Sequence, residues 1–403
     1  MRGGAYNQRV STWVGVGGST SSDSYQAGRE AAAQALTRMG LSTAQLILVF
    51  ASARFDHPAL LRGVRSVIPE AALVGCSTAG EITADGPVKR SVVVAALQSN
   101  VMTVTTGIGR RLSAAPRQAG ETAAWPAAHS KAQNPRAFLM FADGISGNAA
   151  EALRGVQMVL GTSFPIVGGS AGDDLLFDRT VQYHGETATH DSVVGVLLSG
   201  AVTVGVGARH GWRPLGKPRL VTRALANVVH ELDGRAAISV YQEYFGKGAE
   251  ELRQESLARM TIIYPLGMPI PGEEEHLLRN VLKVTPQGHL VYAGEVPEGS
   301  IVRLMMGSKA HALAAARRAA EQAMRGLGAK KARLALVFGS ASRARLFGRG
   351  AGAEIQCIRE VVGRDVPIAG FYGYGELAPL SSEQYLGQTY YQNETLVVVT
   401  LAE

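Results

Sequence analysis

Residues Gly168–Gly172 read GGSAG, the G-x-S-x-G spacing that holds a nucleophilic serine on a sharp strand-to-helix turn. Asp191 and then His210 or His230 come later, in the order serine, acid, histidine used by α/β-hydrolases. Acyl transfer at Ser170 requires a helix directly after the turn, because backbone N–H groups there help to form the oxyanion hole. In place of such a helix the chain has Asp173, Asp174 and the apolar stretch Leu175–Phe177, then a β-like segment. The same residues have a second use, in binding. GCSTAGE (75–81) and GFYGYGE (370–376) share the spacing G-x-x-x-x-G-E. The 168–173 loop stands in the same place after its strand, so Ser170 takes the position of Ser77 and Tyr372.

Strand-end loops with exposed backbone N–H groups and a few polar side chains are where α/β folds bind ligands. The candidate ligand-binding residues are therefore Gly75, Cys76, Ser77, Glu81, Gly169, Ser170, Asp173, Tyr372, Tyr374 and Glu376. Glu81, Asp173 and Glu376 read as equivalent positions able to meet a ligand amine. Each carboxylate is equally suited to capping a turn, the tyrosines to filling a core, and Cys76 to simple burial. The expectation is a binding protein and not an enzyme. The nine histidines show no H-E-x-x-H pattern, and two cysteines, Cys76 and Cys357, are too few for a disulfide framework or a multi-cysteine zinc site. GVGGS (15–19) lacks the full dinucleotide-binding spacing and reads as a turn.

The elements that position these residues repeat along the chain. Residues 27–53 laid over 315–341 at a constant offset of 288 match at 14 of 27 positions, including Ala31, Ala32, Gln34, Gly40 and Phe50. Both segments read as an alanine-rich helix followed by a buried strand, LILVF and LALVF. A middle copy runs through FLMF (138–141), a helix near Ala149–Leu160 and FPIVGGSAGD (164–173). The copies close on SVVVAAL (91–97), SVVGVLL (192–198) and TLVVVTL (395–401). The fold class expected is α/β: repeated strand-helix-strand-helix-strand-strand modules with mixed sheets, in two pseudo-equivalent halves. The first half, 1–200, holds modules at about 13–97 and 101–198. The second, 201–403, holds a diverged segment, 202–299, that could be a fourth copy, and a module at 300–401. The 202–299 segment opens on the strand VTVGVG (202–207) and carries a helix over Arg235–Phe245.

Bulk properties exclude several classes. The 403 residues exceed what a single core usually serves, and 48 glycines, about 12% against a usual ~7%, suit many turns at strand ends. The first ten residues have no apolar core of a secretory signal. The most apolar long stretch, Ser192–Ala208, is broken by Ser199–Gly200 and reads as two strands, not a membrane span. Together with the low cysteine count, this gives a cytoplasmic expectation with no membrane contact. The net charge is +7, with Arg318, Arg325, Lys330, Lys331, Arg333, Arg343 and Arg345 concentrated between Arg317 and Arg349. These read as the solvated face of a helix and its loops. Nucleic-acid binding is the alternative, and no helix-turn-helix, zinc finger or aromatic RNA-binding motif accompanies the charge.

VFASARFDHPALLRG (49–63) with IPEAALVGCSTAGEI (68–82) resembles the N-terminal FIST domain of bacterial sensory proteins. GFYGYGELAP (370–379) with NETLVVVTL (393–401) resembles the close of the FIST C-terminal domain, and HGWRPLGKPRLVTRALANVVHELDGRAA (210–237) the segment joining the two. One departure is Ser340 in FGSAS, where the family often has a cysteine. The resemblance implies a cytoplasmic signal-input protein for small ligands such as amino acids. With no output domain in the chain, it would act through a separate signalling partner, a histidine kinase or cyclic-di-GMP enzyme. A free-standing subgroup of similar architecture looks like haem proteins that sense nitric oxide. That makes haem a candidate cofactor, with His210, just past a strand and before Gly211–Trp212, as axial ligand, and His184 and His230 next.

Overall fold

Each copy begins on a strand whose alternate residues include two glycines on one face: Gly15 and Gly17 in Thr12–Ser19, Gly107 and Gly109 in Met102–Arg110, Gly205 and Gly207 in Thr203–Arg209. The next helix (Ser24–Met39, Pro116–Ala128 and Lys309–Leu327, respectively) lies on that face through its alanines. The approach is so close that a Cβ at Gly15, Gly109 or Gly207 would stand 1.9, 1.8 or 1.9 Å from the carbonyl oxygen of Ala35, Ala119 or Ala319. The computed structural model in which this is seen describes residues 12–246, 263–273, 275–381 and 386–403. GVGGS (15–19) thus belongs to a strand and its end, not to a free turn.

Three six-stranded mixed sheets share one order: first strand, last strand, second strand, third strand, then a two-stranded hairpin. The second and third strands are parallel in every copy: Leu46–Ser52 with Ala72–Thr78, Pro135–Ala142 with Ile166–Ser170, and Leu334–Ser340 with Ile368–Gly373. The hairpin always comes from another copy. Strands Glu81–Thr83 and Gly86–Val88 of the first copy complete the third copy's sheet. Gln182–His184 and Thr187–Thr189 of the second complete the first's. Gly375–Ser381 and Leu386–Gln392 of the third complete the second's. The exchange closes a ring.

The sheets turn their inner faces to one core and carry their helices outside. At its centre the equivalent residues Phe50, Phe141 and Phe338 meet with ring centroids 5.5, 5.8 and 6.2 Å apart, and Phe371 packs against all three. Cys76 lies in this core too, fully buried.

The repeated mixed α/β modules agree with the sequence reading, and Ser192–Ala208 is indeed two strands, Ser192–Gly200 and Thr203–Arg209. The boundaries of the third copy differ from those expected. Its first strand is Thr203–Arg209, paired to Leu396–Ala402. Ile301–Met306 instead joins a fourth, antiparallel eight-stranded sheet built from residues 213–306. The reason lies in side-chain size, because helix Lys309–Leu327 needs a Gly-x-Gly face, which GVG supplies and IVRLMM does not. The 202–299 segment is thus not a fourth copy. After its first strand it forms an insertion with its own core, around Val221, Tyr241, Leu290 and Tyr292. Its helix spans Ser239–Phe245, shorter than expected. Of the two halves, the first therefore holds two module sheets, and the second holds one together with the fourth sheet. No helix among the described residues is long and apolar enough to cross a membrane.

Candidate functional site

The three glycine loops do not form a common site, because most of their residues hold the copies together. A Cβ at Gly75, Gly168 or Gly370 would lie 1.9, 2.1 or 1.8 Å from the carbonyl oxygen of the parallel neighbour, Val49, Met140 or Val337. Glycine there answers to strand contact, not to a ligand. The Ser77 hydroxyl donates to the Gly172 carbonyl (2.7 Å) and accepts from the Val181 N–H (2.8 Å). Gly169 sits in a strand opposite Glu376. The Tyr372 side chain is buried, and burial raises its phenol pKa.

Pairing also corrects the expected equivalence of Glu81, Asp173 and Glu376. Glu81 sits opposite Phe371, Gln182 opposite Cys76 and Glu376 opposite Gly169, so the second copy's counterpart is Gln182. Each of the three tethers the start of its own last strand. Ser91 donates its N–H to Glu81 Oε2 (3.2 Å), the Ser192 hydroxyl donates to Gln182 Oε1 (2.9 Å), and Thr395 donates its N–H to Glu376 Oε2 (3.1 Å). Burial pushes Glu81 up to about 8, against the hydrogen bonds from Ser91 and Thr78, and pushes Glu376 well above the carboxylate range. The native state then holds a proton on Glu81 that the unfolded chain releases. The stability this confers is complete at acid pH and drains away as pH rises from about 4.5 to about 8. Glu81→Gln, which copies the natural Gln182, is expected to flatten that loss and raise the unfolding midpoint at pH 8. Equal pH dependence of the two proteins in denaturant titrations would refute it.

No hydrolytic triad is assembled. Ser170 ends a strand with its hydroxyl buried beside the Tyr391 phenol, not beside a histidine, and no helix comes after it. Asp191 accepts instead from the Ser113 N–H (2.6 Å) and hydroxyl (2.9 Å). His210 is equally committed. Its Nδ1 accepts from the Trp212 N–H (2.8 Å), and its Nε2 lies 2.7 Å from the Glu275 carboxylate. Burial raises Glu275, but His210, Arg209 and Arg318 outweigh it and lower the carboxyl to about 2. With both ring nitrogens engaged, His210 does not fit the role of an axial iron ligand. His184 faces Thr106 (3.1 Å), and His230 faces His289 (Nδ1 to Nδ1, 3.1 Å). Among the described residues no group of three or more His, Cys, Asp or Glu is arranged to hold a metal ion.

A cavity of about 820 Å³ does exist, bounded by the second copy, the third copy and the fourth sheet. The Asp143–Ala149 segment and the N-cap Asn148 of helix Ala149–Leu160 form one wall, Ser340–Ser342 and Tyr374 another, and Asn280–Val284 with Tyr292 the third. It opens at the C-terminal ends of the parallel strands Pro135–Ala142 and Leu334–Ser340, where ligands of α/β sheets gather. Of the residues singled out in the glycine loops, only Tyr374 lines it. Behind the wall lies Glu394, fully buried and in a left-handed conformation (φ 58°). Its carboxylate has Ser342 and Asn280 as hydrogen-bonding neighbours and no ion-pair partner among the described residues. The Asn280 side-chain carbonyl and the Tyr292 hydroxyl in the wall have no hydrogen-bond partner. Burial raises Glu394 to about 8, opposed by Ser342, Asn280 and Arg343. Lys283 and Arg345 are exposed in the lining, and neither is ion-paired among the described residues. Arg343, expected on a solvated face, is instead fully buried. Sequence reasoning missed Glu394 and Asn280 because only the insertion's packing buries them together.

A FIST N domain model matches residues 45–235 and a FIST C domain model residues 237–379. An uncharacterized protein of Mycobacterium tuberculosis strain H37Rv is 29% identical over 392 residues, covering 93% of this chain and 96% of that protein. An uncharacterized protein of Mycobacterium bovis is 27% identical over 390 residues, with the same coverage of each. Among solved structures, one of cyanuric acid hydrolase aligns with 98% of this chain and 100% of its own, at 8% identity and a TM-score of 0.34.

Proposed function

We propose that this chain, which belongs to the FIST family of sensory ligand-binding domains, senses a small polar molecule held in the cleft between the second copy, the third copy and the fourth sheet. The observation that carries this reading is the Glu394 carboxylate, fully buried beside the cleft-lining Asn280 and Ser342 with no ion-pair partner among the described residues. A buried carboxylate is costly to ionise unless a cation pairs with it. A cationic group entering over Asn280 would do so, while Lys283 and Arg345 meet an anionic group nearer the rim. Ammonium inward and carboxylate outward describes an amino acid or a similar zwitterion.

This is a binding role and not a catalytic one. What supports that is the separation of Ser170, Asp191 and His210, each set against different partners: Tyr391, Ser113 and Glu275. Occupancy would be read by a separate cytoplasmic partner, such as a histidine kinase or cyclic-di-GMP enzyme. The fourth sheet is the natural reporter, since it forms one wall of the cleft and leaves the third copy only at residues 209–213 and 306–309.

The test is a panel of the twenty amino acids, screened by thermal shift and then by calorimetry on the full chain. A bound ammonium requires Glu394 to be ionised. Affinity should therefore rise with pH up to about 8, with a proton released on binding below that pH. Glu394→Gln should weaken binding at least tenfold, in line with the ~1.5–3 kcal/mol of a charged hydrogen bond. A panel that leaves the melting temperature unmoved, or a ligand held equally by Glu394→Gln, would remove this reading.

A further inference from the structure

Phe177 is 56% exposed at the mouth of the cleft, an unusual position for a phenylalanine, and the chain holds it there against two costs. It lies in a segment that only the second copy has. Ser77 and Glu81 are four residues apart, as are Tyr372 and Glu376, whereas Ser170 and Gln182 are twelve apart (182 − 170), eight more than in the other copies. Within it, Asp174, Leu175 and Phe177 all adopt left-handed backbone (φ 55°, 66° and 55°), and none is a glycine. Such conformations are unfavourable for residues with a Cβ, above all large apolar ones, and persist only where the surroundings impose them.

The imposing group is Asp173. Its carboxylate accepts the N–H groups of Phe177 (2.9 Å), Asp178 (2.7 Å) and Arg179 (3.0 Å), and the hydroxyl of Tyr374. Tyr374 in turn accepts the Leu175 N–H (3.0 Å), and Asp174 accepts the Ser52 hydroxyl (2.6 Å). The result of this bracing is one aromatic stack. The rings of Phe177 and Tyr374 lie 4.7 Å apart at 15°, and both line the cleft. Burying Phe177 in a relaxed loop would satisfy the apolar effect and the backbone together. The strained, exposed arrangement makes sense where the ring has a task at the surface.

We propose that Phe177, backed by Tyr374, is a stacking platform for a planar π-bonded group of the molecule that enters the cleft. That narrows the ligand class to compounds carrying an aromatic ring or a conjugated planar group beside their polar ends. Offset stacking supplies the geometric preference that a saturated group of equal size lacks. The inference rests on the reading that the cleft is the ligand site.

The experiment compares matched planar and saturated probes on the full chain by saturation-transfer NMR and calorimetry. The pairs are L-phenylalanine with L-cyclohexylalanine, benzamidine with cyclohexanecarboxamidine, and benzoate with cyclohexanecarboxylate. In at least one pair the planar member should bind fivefold or more tightly than its partner. That preference should vanish in Phe177→Ala and Phe177→Leu and persist in Phe177→Trp. Phe177→Gly, which relaxes the backbone while removing the ring, should also lose it, separating the ring's role from the strain. Equal binding of both members in every pair, or a preference that survives Phe177→Ala, overturns the platform. If those equal affinities still fall in Glu394→Gln, the cleft stands and only the platform goes. If no probe binds at all, both readings fall.

Discussion

Arg343→Met is expected to lose about 3–5 kcal/mol of stability, the scale for stripping one partner from a buried ion pair. Arg343 and Glu354 are both fully enclosed. The guanidinium donates through Nε (3.0 Å) and Nη2 to one Glu354 oxygen, through Nη1 to the carbonyls of His210 (2.6 Å) and Glu394 (3.0 Å), and through Nη2 to that of Ala312 (2.9 Å). Its charge also lies 5.5 Å from the Trp212 ring centre. One side chain therefore ties together the start of the insertion, helix Lys309–Leu327, helix Gly352–Val362 and the approach to the last strand. Burial already raises the Glu354 carboxyl, with Arg343 pulling it back. Without Arg343 the acid protonates, and the three carbonyls lose their donor in the interior. Arg343→Met/Glu354→Leu removes the stranded acid but not the carbonyl losses, so it should recover only part of the deficit. Denaturant midpoints of the three proteins check this. A single variant within ~1 kcal/mol of the parent would contradict the assignment of Arg343 as the central tie.

Truncation of the central aromatic cluster should cost about as much. Phe50→Ala, Phe141→Ala and Phe338→Ala each empty a site at the meeting of the three sheets, and each is expected to lose about 3–5 kcal/mol. Residue type, burial and contacts are nearly the same at the three positions, so the three losses should agree with one another more closely than with any other Phe→Ala change in the chain. The rings touch, so Phe50→Ala/Phe141→Ala should depart from additivity by ~0.5–3 kcal/mol. Chemical denaturation of the single and double variants measures both. Tolerance of alanine at any one of the three positions would rule out a core shared equally by the copies.

Much of this architecture was legible in the sequence because it rests on residue size. Alanine at helix positions 31, 32 and 35 and at 319, 320 and 323, with LILVF and LALVF behind them, marks a helix lying tightly on a sheet wherever the pattern recurs. What the pattern conceals is partnership. Glu81 and Glu376 look alike in sequence and are alike in structure. Their third counterpart, Gln182, is displaced by the eight-residue insertion, which leaves Asp173 as the apparent match. Three similar hairpins come after three similar strands, and nothing in their residues says which sheet each joins. Arg343 sits in a basic run that reads as solvated, and its burial depends on a carbonyl supplied by His210, 133 residues earlier. Glu394 is in plain view within NETLVVVTL, but a carboxylate becomes a site only once Asn280 and Ser342 are brought against it.

The ring of exchanged hairpins constrains how the chain can be made. A ribosome delivers residues 81–88 long before the strand they pair with: Ile368–Gly373 begins 285 positions after Thr83 (368 − 83). Through most of synthesis the first hairpin has no sheet to join, and the edge of Ile166–Ser170 awaits Gly375–Ser381. Open edges of this kind recruit whatever strand is near, including those of neighbouring nascent chains. A half such as 1–200 produced alone would keep both defects permanently, an orphan hairpin at one end and a bare strand edge at the other. Two such halves could heal each other only by trading hairpins between molecules.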